Sequence, residues 1–179
     1  MPADAKRYAG DIHPSERAMI ILRRGKGMEA ALLSWGYPSA KAGLVINARA
    51  ETLHEKPMFS DDVMNRRCLI PASGFYEWDK KKQKATVHVP GEELIYFAGI
   101  YSIRLGAERF VIITRESAGE MIRIHERMPL IIPGKRMEEW LSEDYRDVLN
   151  AEALPVEVRI ENEQMSFLSD LQTDQYAPQ

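Results

Sequence analysis

With one cysteine, Cys68, the 179-residue sequence cannot close an internal disulfide. That excludes the disulfide-stapled scaffolds and fits a reducing compartment. Long apolar runs are missing too. None approaches the roughly 20 residues that cross a bilayer, and the N-terminus has no apolar h-region of a secretory signal. The expectation is a cytoplasmic protein with no membrane partner. Neither charge is in surplus: 24 Lys and Arg stand against 27 Asp and Glu, a net charge of −3, so no global field draws nucleic acid. A nucleic-acid site has to be local and basic, on a neutral-to-acidic body. No His, Cys, Asp and Glu cluster has metal-ligand spacing, so neither a metal nor a cofactor is expected. Internal repeats, low-complexity linkers and a clear domain boundary are absent as well. One domain over residues 1–171 is expected, with 172–179 as a polar tail.

What is present alternates strand and turn signals at close spacing, which favours β structure. Met19-Ile20-Ile21-Leu22 reads as a buried strand, closed by the turn at 23–27, and Ala30 to Trp35 is a second apolar run. Leu44-Val45-Ile46 leads into Asn47, which places Asn47 at a strand end. Ser60-Asp61-Asp62 opens a helical turn with Ser60 as N-cap. Phe75 to Trp78 and Thr86 to Val89 flank Lys80-Lys81-Lys82-Gln83-Lys84 as a hairpin flanks its turn. That lysine run reads first as a solvated turn and second as a basic patch. Ile95 to Tyr101 and Arg109 to Thr114 are nearly continuous β-branched and aromatic runs, which predicts strands buried on both faces. Helical character is expected over Glu116 to Ile124, Lys135 to Leu141 and Ser142 to Leu149, with short strands at Leu130 to Ile132 and Val156 to Ile160.

Several residues suit chemistry. Glu77, between Tyr76 and Trp78, is a candidate for general acid–base work; on an alternating strand it faces solvent instead, opposite the two aromatics. His125 is a candidate proton shuttle, the role a histidine side chain suits, or it is a surface histidine at a helix end. Asn47 and Arg49 have period-two spacing and share one strand face. Together they suit a nucleophile and a phosphate, or they are a strand-end amide and a surface arginine. Trp35, beside Gly36 and Pro38, can stack a base or fill a core. Arg49, Arg66, Arg67 and Arg127 supply the local basic site that the overall charge does not. Cys68 reads as a small buried hydrophobe, reactive only if exposed beside Arg66 and Arg67.

Three motifs hold these residues in a fixed order. They are Asn47-Ala48-Arg49-Ala50-Glu51-Thr52, then Arg67-Cys68-Leu69-Ile70-Pro71-Ala72-Ser73-Gly74-Phe75-Tyr76-Glu77-Trp78, then Ile124-His125-Glu126-Arg127-Met128-Pro129. Together, and with matching stretches from Gly10 to Leu141, the chain resembles the SRAP family, the SOS-response-associated peptidases or abasic-site-processing proteins. The resemblance implies an α+β fold: one compact domain with a mixed, mostly antiparallel β-barrel-like core and flanking helices. It implies a monomer that cross-links covalently to abasic sites in single-stranded DNA during the DNA damage response, with autopeptidase and possible lyase activity. In that family an N-terminal cysteine supplies an amine for a Schiff base and a thiol that closes a thiazolidine. By resemblance, Asn47 holds the N-terminal residue and Glu77 moves protons. His125 is the acid–base group in sugar-ring opening and cross-link reversal. Arg49 and Arg127 bind phosphates, and Trp35 and Trp78 stack or wedge beside the lesion. The family begins Met-Cys-Gly-Arg, whereas this chain has Pro2 and nine residues before Gly10. The expectation is that Met1 is an internal methionine of a longer protein. The alternatives are a non-covalent, DNA-binding pseudoenzyme and a peptidase acting on other proteins.

Overall fold

Along Arg17–Arg24 (β1) the side chains of Ala18, Ile20 and Leu22 are buried and the residues between them turn outward, the period of two that a strand imposes. In the computed structural model, which describes residues 10–25 and 27–161, β1 pairs antiparallel along its whole length with Gly27–Trp35 (β2). Tyr37–Ser39 (β3) and Gly43–Val45 (β4) make a small hairpin, followed by Asn47–Arg49 (β5), the helix Ser60–Asn65 (α1) and Arg67–Ala72 (β6). Phe75–Trp78 (β7) and Lys84–His88 (β8) pair across the lysine turn. Ile95–Arg104 (β9) and Ala107–Glu116 (β10) form the longest hairpin. Arg127–Pro129 (β11), Ile131–Ile132 (β12), the helices Met137–Trp140 (α2) and Tyr145–Leu149 (α3), and Glu157–Ile160 (β13) complete the described order.

The main sheet closes on itself. β1 pairs with β2 and β6, β6 with β9, β9 with β10, and β10 returns to β2 in parallel. This five-stranded mixed barrel carries β5 and β11 on β10 and β12 on β9. Ile20, Leu22, Leu33, Cys68, Phe97, Phe110 and Ile112 belong to one buried cluster, with Ala85 and Val87 of the separate β13-β8-β7 sheet. The next residues along the same strands (Leu69, Ala98, Ile100, Val111, Ile113) belong to a second cluster with Trp140, Tyr145 and Val148 of α2 and α3. β6, β9 and β10 are therefore buried on both faces, as their continuous apolar runs predict. Gly99 is required inside: a Cβ there would lie 3.0 Å from Cys68 Sγ and from the Val111 carbonyl oxygen.

Arg67 ties the helical layer to the barrel. Its guanidinium is buried and donates to the carbonyls of Val63 and Met64 at the end of α1 and of Trp140 and Ser142 at the end of α2. The Tyr145 ring lies 4.1 Å below it. Trp140 Nε1 donates to the Cys68 carbonyl at 2.8 Å. The Arg67 bonds supply donors to carbonyls at the ends of α1 and α2, which lack intrahelical partners.

The helices are shorter than the sequence suggests. Ser60 is the first helical residue and Phe59 the N-cap, with no side-chain cap. Glu116 ends β10, and only Gly119–Arg123 coils, as a 3-10 turn. Ala118 is extended there and Gly119 left-handed at φ +57, so no helix can run through from Glu116. Ser142 Oγ donates to the Glu139 carbonyl and accepts from Asp144 N–H, which separates α2 from α3. The tail at 172–179 lies outside the described residues.

Candidate functional site

A surface groove forms where the β7–β8 turn meets the segment between β10 and β11. One half, about 390 Å³, is lined by Trp78, Asp79, Lys80, Ile122, Ile124, His125 and Glu126. The other, about 490 Å³, is lined by Arg49, Glu116, Ser117, Ile122, Glu126 and Arg127. Ile122 and Glu126 border both halves, so the two adjoin across these residues. The segments are held together by backbone and side-chain bonds. Glu120 Oε2 accepts from Val158 N–H of β13 at 3.0 Å, and Ser117 N–H donates to the Glu126 carbonyl at 3.0 Å.

On β7, Phe75 faces inward, edge-on to Phe97, while Tyr76 and Trp78 are exposed. Glu77 falls on the Phe75 side of the strand and is half-buried, so it does not point to solvent between two inward aromatics. One of its oxygens accepts from Trp78 N–H at 3.2 Å. Trp78 is 53% exposed at the groove and Ile122 is 68% exposed, an uncovered apolar pair. The lysine run is a turn: Asp79 Oδ1 accepts from Lys81 and Gln83 N–H at 2.8 and 2.9 Å, which leaves Lys80 against the groove.

His125 is exposed, and its Nδ1 lies 3.1 Å from both the amide nitrogen and the carbonyl oxygen of Arg127. An unprotonated Nδ1 accepts from that N–H, and a protonated Nδ1 donates to that carbonyl. Nδ1 therefore has a partner in either charge state without rotation of the ring. Nε2 has no protein partner among the described residues and is available to a ligand. This arrangement suits a group that takes up and releases a proton in place.

The two arginines of the site differ. Asn47 and Arg49 are both exposed and flank buried Ala48 on β5, which lies parallel to β10. Among the described residues Arg49 makes no ion pair. Arg127 is held in a fork by Glu51, with Nη1 to Oε1 at 2.9 Å and Nη2 to Oε2 at 2.8 Å, and Nη2 also donates to the Thr114 carbonyl at 2.8 Å. These bonds hold the Glu51 carboxyl below the usual carboxylate range. A phosphate at Arg127 has to share or displace this partner, whereas Arg49 and Lys80 present unpaired charge.

Other expected residues lie elsewhere. Trp35 stacks on Phe110 at 6.3 Å and 9°, and its Nε1 donates to the Ile46 carbonyl at 3.0 Å, so the ring is packed against the barrel. Asn47 and Glu77 do not line either half; Glu77 precedes Trp78, which does, and Asn47 lies two residues before Arg49 on β5. Arg66 and Arg67 are removed from the local basic site. Arg66 is paired with Asp61 and Asp62, and Arg67 is buried in the helix-end contacts described above. Cys68 is 0% exposed, and burial pushes its thiol far up from the ordinary value, so it is no nucleophile. His54 is bonded to the Tyr145 hydroxyl at 2.9 Å and His88 to the Ser73 carbonyl at 3.1 Å. Among the described residues no three His, Cys, Asp or Glu side chains are placed to hold a metal ion.

Residues 2–169 match the family model SRAP, SOS response associated peptidase. The chain is 36% identical over 147 residues to the abasic site processing protein YoaM of Bacillus subtilis, a match covering 74% of this chain and 65% of that protein. It is 27% identical over 152 residues to the abasic site processing protein YedK of Escherichia coli, covering 80% and 68%. With YoaM the match spans slightly less than two thirds of the relative's length. Among solved structures, a phage-related protein from Bordetella bronchiseptica superposes with a TM-score of 0.72 at 28% identity, covering 85% of this chain and 81% of that one. A protein from Bacteroides thetaiotaomicron gives 0.71 at 26% identity, covering 86% and 77%.

Proposed function

The chain belongs to the SRAP family, and we propose that it acts in abasic-site processing by holding an abasic site of single-stranded DNA in the groove. The observation that carries this reading is the uncovered apolar pair Trp78 and Ile122 beside the free Nε2 edge of His125. A strand that has lost one base leaves a gap in its stack. An exposed indole covers the face of a neighbouring base, and an aliphatic side chain fills the gap. Arg49 and Lys80 offer unpaired positive charge to the backbone on either side.

In the covalent step that the family resemblance implies, an N-terminal amine adds to the sugar aldehyde and water leaves as the Schiff base forms. By that resemblance His125 passes the proton that opens the sugar ring, Glu77 moves protons during Schiff-base formation, and Asn47 holds the N-terminal residue. A thiazolidine needs amine and thiol on one residue. Pro2 has no thiol, and Cys68 is sealed in the barrel. To these residues we therefore assign lesion recognition and proton transfer, and to none of them the cross-linking thiol.

The test compares a labelled single-stranded oligonucleotide carrying one tetrahydrofuran abasic analogue with the same oligonucleotide intact. The analogue cannot form a Schiff base, so only recognition is measured. The abasic strand is expected to bind about tenfold more tightly, the effect of burying one aliphatic side chain in the gap. Equal affinity for the two strands would make the groove a general single-strand binder.

A further inference from the structure

Glu51 and Arg127 stand 76 residues apart in sequence and meet across β10. Thr114 of β10 pairs with Arg49 of β5 and with Pro129 of β11. Glu51 lies two residues beyond Arg49, in the 3-10 turn Ala50–Thr52, and Arg127 opens β11. Their ion pair therefore bridges the segment that carries Asn47 and Arg49 to the segment that carries His125.

The donors of the Arg127 guanidinium are nearly all committed. Both N–H groups of Nη2 are taken, by Glu51 Oε2 and the Thr114 carbonyl, and one of Nη1 by Glu51 Oε1. Nε is buried without a partner. Among the described residues the second N–H of Nη1 is the donor left for a ligand, and Arg127 lines the groove. The side chain is 14% exposed, and swinging it out to a strand would break all three bonds. The backbone of the same residue grips His125, with its N–H and its carbonyl each 3.1 Å from Nδ1.

We propose that Glu51 is a positioning residue of the groove. Its carboxylate fixes Arg127 so that one guanidinium N–H meets a phosphodiester oxygen of the bound strand, while the Arg127 backbone keeps His125 Nε2 free for the ligand. The proposal rests on the single-stranded DNA reading above. A lone carboxylate beside the strand would repel phosphate. A forked pair instead cancels its own charge and sets the plane of the guanidinium, which an unpaired arginine such as Arg49 leaves free.

The experiment is Glu51→Gln in the full chain, with Glu51→Asp beside it. Gln removes a negative charge from beside the strand and can accept at only one end of the fork. Asp keeps the charge but is one methylene short of it. Electrostatic attraction alone would tighten DNA binding by Glu51→Gln. The expected result is the reverse. By fluorescence anisotropy the dissociation constant for the abasic-analogue strand rises about threefold to tenfold in both variants, the effect of one hydrogen bond. In the DNA-free protein the ring nitrogen signals of His125 in a nitrogen-15 NMR spectrum move in both variants, because the backbone that grips Nδ1 is released. A merely structural Glu51 would lower the melting temperature and leave those signals in place, which would overturn the assignment. Tighter binding by Glu51→Gln would also overturn it and make Glu51 a competitor of the strand. A wild-type chain that binds neither oligonucleotide would overturn the DNA reading itself. The His125 signals are read without DNA, so the two failures are distinct.

Discussion

Arg67→Ala is expected to destabilise the protein by roughly 3–5 kcal/mol, as removal of one member of a buried charged network does. For a chain of this length that corresponds to a fall in melting temperature of roughly 6–20 °C. The reason is the number of groups that depend on one side chain. Arg67 is 8% exposed and donates to four carbonyls, those of Val63, Met64, Trp140 and Ser142. Alanine removes the donor from all four, of which the bonds to Val63 and Trp140 are buried and those to Met64 and Ser142 part-buried, and opens a cavity against Tyr145. Arg67→Lys is expected to recover little of this, because a single ammonium cannot reach both helix ends as the planar fork does. Thermal denaturation followed by circular dichroism measures both variants. A shift of less than 3 °C for Arg67→Ala would show that the helical layer is held on by Trp140 and its neighbours alone.

Trp78→Ala is expected to weaken binding of the abasic-analogue strand about tenfold to hundredfold, the range for losing one stacked base. Its melting temperature should be nearly unchanged, because the side chain is 53% exposed on β7, an edge strand. The contrast with the other tryptophans makes the prediction specific. Trp35 is stacked on Phe110 and bonded to Ile46, and Trp140 is 0% exposed and bonded to Cys68. Trp140 is sealed in the interior, and Trp35 has one face on Phe110 and its Nε1 committed, whereas Trp78 has no such packing partner among the described residues. Anisotropy titration of Trp78→Ala checks the claim, and a loss below threefold would remove Trp78 from the account.

The long β runs were legible in the sequence because they need no tertiary information. Ile95 to Tyr101 and Arg109 to Thr114 are continuous apolar stretches, and both prove to be strands of β9 and β10 buried on two sides. The helical spacing holds at Lys135 to Leu141, where a 3-10 turn runs into α2, and overstates the helix at Ser142 to Leu149, which begins only at Tyr145. At Glu116 to Ile124 the spacing is real, but the Ser117 N–H is taken by Glu126 and Gly119 is left-handed, so the segment coils only briefly. Within the site, the motifs single out Arg49, Trp78, His125 and Arg127, and all four line the groove. They do not reveal Ile122, which reads as one more apolar residue of a helix. Nor do they reveal Glu51 as the partner of Arg127, since the pairing spans 76 residues of sequence. Arg66 and Arg67 look like phosphate ligands beside Cys68, yet their partners come from α1 and the ends of the helices, which a one-dimensional reading does not place.

The central claim is that the trough between the β7–β8 turn and residues 117–127 holds the abasic nucleotide, with Trp78 against the strand. Its most direct test is the set of tryptophan indole N–H signals in a nitrogen-15 NMR spectrum during titration with the abasic-analogue oligonucleotide. The account predicts that the Trp78 signal moves steadily to saturation while the Trp140 signal, bonded to the Cys68 carbonyl, stays in place. Binding of the strand with the Trp78 signal stationary would contradict it and place the recognition surface elsewhere on the barrel.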